Sequence, residues 1–319
     1  MKRVLITGVT GFAGQYLAEL LLNSAGIELH GTHFSAESLS SLNTSSRKII
    51  LHRLDLTEEK EVTNPIKDVR PDEIYNLAAS TSPSESMKNP SGTLMTNILS
   101  ELYLLQALKE NNFENTRVLI VTSGDVYGAV SRDDLPVDEQ TPHRPVNPYA
   151  VSKITQDYLA LQYFLAHNLQ IIRARPFNHI GPRQQPKFVL PMFVKQIVDI
   201  EAGKQEPVMK VGNLKARKDF SDVRDIVRAY VLLMEKGQVG EVYNIGSGKS
   251  VSIQEILDTL LSLSTKEISV IIDPALVRPV DIEDIYCDSS KLTTLTGWKP
   301  EISLSITLKD TLDYYRKVV

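Results

Sequence analysis

Arg3-Val-Leu-Ile-Thr-Gly8-Val-Thr-Gly11-Phe-Ala-Gly14 is the stretch that decides the fold. It begins with an apolar run typical of a buried strand, and the apolar periodicity that follows, from Tyr16 to Leu22, is typical of a helix. Gly8 permits a tight turn, Gly11 lets the backbone approach a pyrophosphate, and Gly14 lets the helix pack closely on the strand. The helix N-terminus favours negative charge. The stretch therefore predicts a dinucleotide-binding loop.

The segments that follow alternate further strands with helical or turn-rich stretches. The strand candidates are Ile27 to Phe34, Ile49 to Leu54, Glu73 to Leu77, Arg117 to Ser123 and Gln170 to Arg175. Alternation of this kind predicts an α/β fold built on a doubly wound parallel sheet.

Prolines break up this order after Arg175, and there we expect the chain to enter a smaller, mixed α/β domain. These prolines are Pro176, Pro182, Pro186, Pro191 and Pro207. We predict a dinucleotide-binding domain of residues 1–175, with 211–246 returning to it, and a substrate domain of 176–210 and 247–319.

The composition suits an enzyme that binds small molecules. With 319 residues, 42% of them hydrophobic, the chain can bury a large core. A net charge of -4 argues against nucleic acid or an anionic membrane as a partner, and no run approaches the ~20 apolar residues of a membrane span. Cys287 is the one cysteine, which excludes an internal disulfide. Met1 leads straight towards the first strand without room for a signal peptide, so we expect a cytoplasmic protein, and we predict no metal site.

The cofactor preference depends on the end of the second strand, His30-Gly-Thr-His33-Phe-Ser35. In an NAD site a carboxylate usually ends this strand and holds the ribose 2′-hydroxyl. The absence of Asp and Glu here favours NADP, but no Arg stands here to meet the extra phosphate, so NADPH and NADH both stay open. Ser35, His33 and Arg47 are the candidates to replace it.

Asp55 and Leu56 follow the third strand and form a second cofactor candidate. They are placed to bracket the adenine. The alternative is that Asp55 caps the helix that follows.

Tyr149-Ala-Val-Ser-Lys153 places a phenol and an ammonium four residues apart, on one face of a helix. Because a nearby cation favours the phenolate, we expect Lys153 to lower the pKa of Tyr149 from roughly 10 towards the working pH. Tyr149 would then act as an acid or a base. The alternative is a core aromatic beside a solvated lysine.

Ser123 ends the buried run that starts at Arg117. At the carboxyl end of a parallel strand, a side chain lies on the side where ligands bind. A turn or cap role is the alternative. Because Ser123 lies between the glycine loop and Tyr149 in the chain, we predict a catalytic hydroxyl.

Together these motifs resemble the extended short-chain dehydrogenase/reductase family of nucleotide-sugar enzymes over nearly the whole chain. They are Gly8-x-x-Gly11-x-x-Gly14, Ser123, Tyr149-x-x-x-Lys153, Arg175-Pro-Phe-Asn178 and Arg278-Pro279. The motifs that resemble its GDP-6-deoxyhexose branch are Phe177 to Pro182, Val211 to Leu214 and Arg217 to Phe220. The resemblance implies a Rossmann fold and NAD(P)H-dependent reduction of the C4 keto group of GDP-4-dehydro-6-deoxy-D-mannose to a GDP-6-deoxyhexose, GDP-D-rhamnose.

The resemblance also implies roles for individual residues. Tyr149 protonates the developing alkoxide, Lys153 also reaches the nicotinamide ribose, and Ser123 donates to the carbonyl oxygen. The cofactor contacts it implies are Gly8, Gly11, Phe12, Ala13, Gly14, His33, Ser35, Asp55, Leu56, Leu77, Ala78, Ala79, Tyr149 and Lys153. The substrate contacts it implies are Asn178, Val189, Lys195, Arg217 and Arg278. The two arginines would meet the diphosphate and ribose; the alternative is surface ion pairs with Asp219 or Asp281.

Gly124 and Asp125 bear on which reaction of this branch the chain performs. Dehydration needs groups that act at C5 and C6, and in the dehydratases they directly follow the strand-terminal hydroxyl. Gly124 has no side chain and Asp125 is one methylene shorter than the Glu usual there, so we predict a reductase. Asp125 either takes part in catalysis or orients the loop. A GDP-mannose 4,6-dehydratase, a nucleotide-sugar 4-epimerase and a non-enzymatic dinucleotide-binding protein are the alternatives.

The helical segments around Ile98 to Leu108 and Tyr149 to Leu165 carry more apolar residues than one packing face requires. The family pairs these helices between subunits. The resemblance therefore implies a homodimer.

Overall fold

The computed structural model describes residues 1–36, 39, 42, 48–277 and 282–318. Its strands are β1 (Lys2–Thr7), β2 (Ile27–His33), β3 (Ile49–Arg53), β4 (Glu73–Asn76), β5 (Arg117–Val121), β6 (Gln170–Pro176), β7 (Asn178–Ile180), β8 (Val208–Val211), β9 (Arg217–Asp222), β10 (Val242–Ile245), β11 (Ser250–Ser252), β12 (Ser269–Ile272) and β13 (Asp284–Ile285). Its helices are α1 (Phe12–Leu22), α2 (Glu59–Val69), α3 (Pro83–Lys88), α4 (Pro90–Glu110), α5 (Pro148–His167), α6 (Val189–Glu201), α7 (Val223–Lys236), α8 (Ile253–Ser262), α9 (Ser290–Thr296) and α10 (Leu304–Val318).

The central layer is a sheet of seven strands in the order β10-β6-β5-β4-β1-β2-β3. Every neighbouring pair in it is parallel. Parallel neighbours need crossover connections, and most of these connections contain helices. The predicted doubly wound parallel sheet is confirmed.

Both faces of this sheet are buried, because successive side chains of a strand point to opposite faces. In β1, Val4 and Ile6 pack in a core beneath α1 and α7, whereas Leu5 packs in a second core with residues of α2, α4 and α5. All three side chains are almost fully buried. The short apolar run at the start of the chain is thus the middle of the sheet.

The smaller part of the fold contains two further sheets. β9 pairs with antiparallel β11 and with parallel β7 and β13, and β8 pairs with β12. Its core includes Phe193 of α6, Leu257 of α8 and Leu312 of α10. The boundaries predicted for the two domains stay a prediction: within 211–246, β10 joins the large sheet, while β9 belongs to the smaller part.

No helix in the described part of the chain combines the length and the apolar character needed to cross a membrane.

Candidate active site

A cleft opens at the carboxyl edge of the large sheet, where β1 lies between β2 and β4 and the strand order reverses. Ligands of open α/β sheets bind at such a point. The cleft has a volume of about 1780 Å³, more than the roughly 300–1,000 Å³ of a site for one small ligand. Residues of the smaller part form its opposite wall. The cleft therefore has room for a dinucleotide and a second ligand.

The glycine loop after β1 excludes side chains at two of its positions. Gly8 has a φ of +70°, in the left-handed region, and a Cβ there would lie 3.0 Å from the Cα of Ala78. A Cβ at Gly14 would lie 2.5 Å from the carbonyl oxygen of Gly8. Gly11 is the N-cap of α1, and the first turn of this helix lines the cleft. The loop is thus a backbone cradle at a helix N-terminus, which fits the pyrophosphate of a dinucleotide.

Thr7 joins this loop to the one that follows β4. Its hydroxyl donates to Oδ1 of Asn76 (2.6 Å) and accepts from the N–H groups of Leu77 (3.1 Å) and Ala78 (3.2 Å). The cleft-lining residues of this second loop are Leu77, Ala78 and Ala79. The structure therefore brings these predicted cofactor contacts next to the glycines, together with Phe12 and Ala13.

The loops after β2 and β3 form another part of the cleft wall. The predicted residues that line it are His33, Ser35, Asp55 and Leu56. Nδ1 of His33 hydrogen-bonds the main-chain carbonyl of Ser35 (3.2 Å). The Asp55 carboxylate accepts from the N–H and hydroxyl of Thr57 (2.9 and 2.6 Å). Asp55 thus closes the turn before α2 and is not its cap, since Glu58 is the N-cap residue of that helix.

Tyr149 and Lys153 lie at the beginning of α5, whose start is fixed by local sequence. The Asn147 side chain caps the helix by accepting a main-chain N–H (2.8 Å), and Pro148 is its first residue. Tyr149 and Lys153 are 7% and 4% exposed and line the cleft. The Lys153 ammonium donates to the carbonyl of Val121 in β5 (3.0 Å).

Ser123 lies just beyond the end of β5 and lines the cleft beside Tyr149. Its hydroxyl accepts the N–H of Asp125 (3.1 Å) and forms a hydrogen bond with the Tyr149 side chain. The residues predicted as catalytic that line this part of the cleft are Ser123, Asp125, Tyr149 and Lys153. The structure therefore brings all of them together.

The pKa values of Tyr149 and Lys153 differ from those expected from the sequence. Burial raises the pKa of Tyr149 above its ordinary value, the Asp125 charge raises it further, and the hydrogen bond with Ser123 opposes this. Burial lowers the pKa of Lys153 to about 8, and Glu101 opposes that shift. The expectation that Lys153 lowers the pKa of Tyr149 is wrong, because the ammonium bonds to Val121 and lies 6.0 Å from the centre of the phenol ring.

Gly124, next to Ser123, is packed against the ring of Phe177. A Cβ at Gly124 would lie 2.8 Å from two carbons of that ring. Phe177 is buried and stacks on Tyr127, with ring centroids 6.0 Å apart. This position therefore carries no side chain and has no space for one unless the Phe177 ring moves.

The predicted substrate contacts are only partly brought together. Asn178 of β7 and Val189 of α6 line the cleft. Lys195 does not belong to the lining; its ammonium pairs with Asp199, one turn further along α6. It lies about 240° around the helix from Val189 at 3.6 residues per turn.

Arg217 of β9 also points away from the cleft. Its guanidinium bonds Ser250 and the carboxylate of Glu255 (3.1 Å). The adjacent residue, Lys218, lines the cleft instead, and its ammonium donates to the carbonyl of Ile282 (3.1 Å). The alternative of a surface ion pair therefore describes Arg217 better than a substrate contact. Its partner is Glu255 and not the expected Asp219. Asp219 instead accepts hydrogen bonds from the main chain of the turn at 247–248.

Lys218 is one of the basic cleft residues that the sequence interpretation missed; the others are Lys88, Arg183 and Lys187. Successive side chains of a strand face opposite sides, and the apolar neighbours Ala216 and Phe220 also line the cleft. That alternation in Ala216-Arg-Lys-Asp-Phe220 was a signal that could have identified position 218. The predicted residues outside the described part of the chain are Arg47 and Arg278. Within the described residues, no group of three or more His, Cys, Asp or Glu side chains is placed to hold a metal ion.

Short-chain dehydrogenases/reductases of nucleotide sugars are the class that this fold and this cleft define. Residues 5–311 match the family model described as GDP-mannose 4,6 dehydratase, and the chain belongs to this family. Its relatives and structural neighbours are NAD(P)-dependent nucleotide-sugar enzymes, and the predicted family is confirmed.

Individual relatives include both reductases and dehydratases. The chain is 35% identical to the GDP-6-deoxy-D-mannose reductase of Pseudomonas aeruginosa, over 97% of this chain and 95% of that protein. It is 30% identical to a GDP-mannose 4,6-dehydratase of Yersinia enterocolitica, over 95% of this chain and 91% of that one. The structure of RMD from Pseudomonas aeruginosa complexed with NADPH superposes with a TM-score of 0.85 at 33% identity and covers 100% of both chains.

Proposed function

We propose that the protein is an NAD(P)H-dependent reductase that converts the C4 keto group of GDP-4-dehydro-6-deoxy-D-mannose to the alcohol of a GDP-6-deoxyhexose, GDP-D-rhamnose. The observation that carries this proposal is the arrangement of side chains at the end of β5. Ser123 and Tyr149 hydrogen-bond one another. The Phe177 ring occupies the space that a side chain at Gly124 would need. The similarity to a GDP-6-deoxy-D-mannose reductase supports the same substrate.

Bound reduced nicotinamide supplies a hydride to the sugar carbon, and the protein supplies the proton. Because the pKa of Tyr149 is raised, its phenol keeps the proton at neutral pH and is an acid suited to protonate an alkoxide. Ser123 lies beside it and stabilises the growing charge on the carbonyl oxygen by donating its hydroxyl. Proton donation is the half of acid–base catalysis that a reduction needs.

Packing around Gly124 favours reduction over 4,6-dehydration. A dehydratase has to remove the C5 proton and assist departure of the C6 hydroxyl in addition to the redox step. The position that would supply one of these groups is Gly124, and the Phe177 ring occupies the space beyond it. Asp125 stays close enough to Tyr149 to raise its pKa, so we assign it to tuning the phenol and holding the loop.

NADPH is the proposed cofactor. Thr32, His33, Phe34 and Ser35 line the cleft at the end of β2, and none of them is a carboxylate that would repel a 2′-phosphate. The structure of RMD from Pseudomonas aeruginosa was determined with NADPH. Lys218 is the cation that we assign to the substrate diphosphate, because it is the basic residue of β9 that faces the cleft.

A homodimer in the cytoplasm completes the proposal. Val151, Tyr158 and Leu165 of α5 are exposed by 42%, 54% and 69%, and they recur every seven residues along one stripe of the helix. Met95 of α4 is 60% exposed, and α4 packs beside α5. A second copy of this surface would cover these side chains. The molecular mass in solution, measured by analytical ultracentrifugation, tests this part.

A panel of 4-keto-6-deoxy nucleotide sugars with NADPH or NADH tests the function. We expect the GDP sugar with NADPH to be consumed fastest, with loss of reduced-nicotinamide absorbance and a GDP-6-deoxyhexose identified by NMR. The NMR spectrum also assigns the C4 stereochemistry. Cofactor retained through purification, with interconversion of sugars and no net absorbance change, would instead establish a 4-epimerase.

A further inference from the structure

Glu101 of α4 is a carboxyl buried directly behind the catalytic helix. It is 0% exposed. Among the described residues, no group lies within 3.5 Å in hydrogen-bonding geometry of either of its oxygens. The Gln156 side chain is the polar neighbour near enough to favour the ionised form. The Gln156 amide nitrogen is engaged, since it donates to the carbonyl of Asn97 (2.8 Å). A carboxyl that is fully buried and has no charged donor beside it is more stable with its proton than without it.

Asp157 shows what an ionised carboxylate in the same interior requires. It too is 0% exposed, but it accepts from Arg173 (2.7 Å) and from Arg175 (2.8 and 3.0 Å). These charged donors hold the pKa of Asp157 below its ordinary value although burial opposes them. Glu101 has no such donors, and burial raises its pKa well above the usual range. Burial without charged donors therefore favours the protonated form of Glu101.

Lys153 is the group that a charge on Glu101 would act upon. The titratable groups that face Glu101 are Lys153 and Asp157, both on α5. On the other side of α4, the buried face of α2 consists of apolar side chains. Lys153 favours ionisation of Glu101, and Glu101 in turn raises the pKa of Lys153 against the effect of burial. The two sites are coupled because both side chains are buried, where interactions between charges are stronger than in water.

We propose that Glu101 is a positioning residue that acts through the catalytic Lys153. At neutral pH the Glu101 carboxyl holds its proton. At alkaline pH it releases that proton and becomes the counter-ion that keeps Lys153 charged. No bond other than the O–H bond of the carboxyl changes in this step, and the proton leaves to solvent. The proposal rests on the proposed function, and it identifies Glu101 as the group that sets the highest pH at which the reductase is active.

The experiment compares the wild type with Glu101→Gln, which mimics the neutral acid, and with Glu110→Gln, which removes an exposed carboxylate from the same helix. The first readout is Tm between pH 5 and pH 8, which needs no substrate. A group with a raised folded-state pKa stabilises most below its unfolded value of roughly 4.5 and loses that contribution as pH rises towards the folded value. The Tm of Glu101→Gln minus that of the wild type should therefore increase as pH rises. The corresponding difference for Glu110→Gln should stay constant.

The second readout is the alkaline limb of kcat against pH. Without the carboxylate, Lys153 loses its proton earlier, so the limb of Glu101→Gln should move to lower pH by about one unit, while activity at pH 6.5 stays within twofold of the wild type. Glu101→Met, of similar length and apolar, should move the limb equally and serves if the Gln variant does not fold.

A Tm difference that is flat or falls between pH 5 and pH 8 would overturn the proposal, as would an alkaline limb that superposes on the wild type. Loss of activity at every pH would also overturn it, since the neutral mimic should be active. If the proposed sugar is not turned over, the function fails while the Tm readout still decides the state of Glu101.

Discussion

The Lys153 ammonium donates a hydrogen bond to the main-chain carbonyl of Val121 across 3.0 Å. Val121 is the last residue of β5, so this bond ties the helix that carries Tyr149 to the strand that leads into Ser123. The lysine is thus held by the sheet, with its ammonium 6.0 Å from the centre of the phenol ring. The roles of Tyr149 and Lys153 are therefore separable by substitution.

Tyr149→Phe should lower kcat by at least 100-fold, because it removes the transferred proton and nothing else. Binding of NADPH, followed by its fluorescence, should stay within about twofold of the wild type. Near-normal turnover by the Phe variant would show that another group supplies the proton.

Lys153→Met should weaken NADPH binding as well as turnover, because the ammonium is expected to reach the nicotinamide ribose. In the wild type, kcat should fall as pH rises through about 8, where Lys153 loses its charge, rather than near the ordinary lysine value. The Met variant should lack this limb. A wild-type profile that is flat to pH 10 would contradict the assignment of the charged lysine.

Lys218→Ala should raise the KM for the nucleotide sugar by roughly 10- to 100-fold with a smaller effect on kcat, since a charged contact to a remote diphosphate is lost. Arg217→Ala is the matched control on the same strand. It should leave KM within twofold and lower Tm, because it breaks the bonds to Ser250 and Glu255. The reverse pattern would restore Arg217 as the substrate contact.

Gly124→Ala should lower both kcat and Tm, since the new Cβ would lie 2.8 Å from the Phe177 ring and that ring belongs to the cleft wall. Adding Phe177→Leu removes the clash, so the double variant should recover more Tm than the sum of the single changes predicts. Strict additivity would mean that the two positions do not compete for the same space.

The sheet and the cofactor loop were predictable from the sequence because they depend on backbone chemistry. An apolar run such as Val4-Leu-Ile6 is buried whichever face each residue meets. Gly8 and Gly14 stand where a Cβ would strike the backbone, so the residue type itself reveals the geometry. The position of Ser123 follows from the same logic, since the carboxyl ends of parallel strands share one edge.

Side-chain direction was harder to predict, because it depends on the register of an element against its neighbours. Arg217 and Lys218 differ by one step along β9, and only Lys218 faces the cleft. Lys195 lies on α6, which does contribute to the cleft, but its side chain is on another face of that helix and pairs with Asp199. The spacing of Tyr149 and Lys153 placed both correctly, yet it could not show that the ammonium donates its hydrogen bond to Val121.

The most direct test of the account sets two reactions side by side with the purified protein. GDP-4-keto-6-deoxy-mannose with NADPH should be reduced, with loss of reduced-nicotinamide absorbance, because Tyr149 is a proton donor and Ser123 lies beside it. GDP-mannose with NADP should yield no 4-keto product, because Gly124 offers no group for the elimination. Formation of the 4-keto sugar from GDP-mannose, with no consumption of NADPH by the keto sugar, would contradict the account and establish a 4,6-dehydratase.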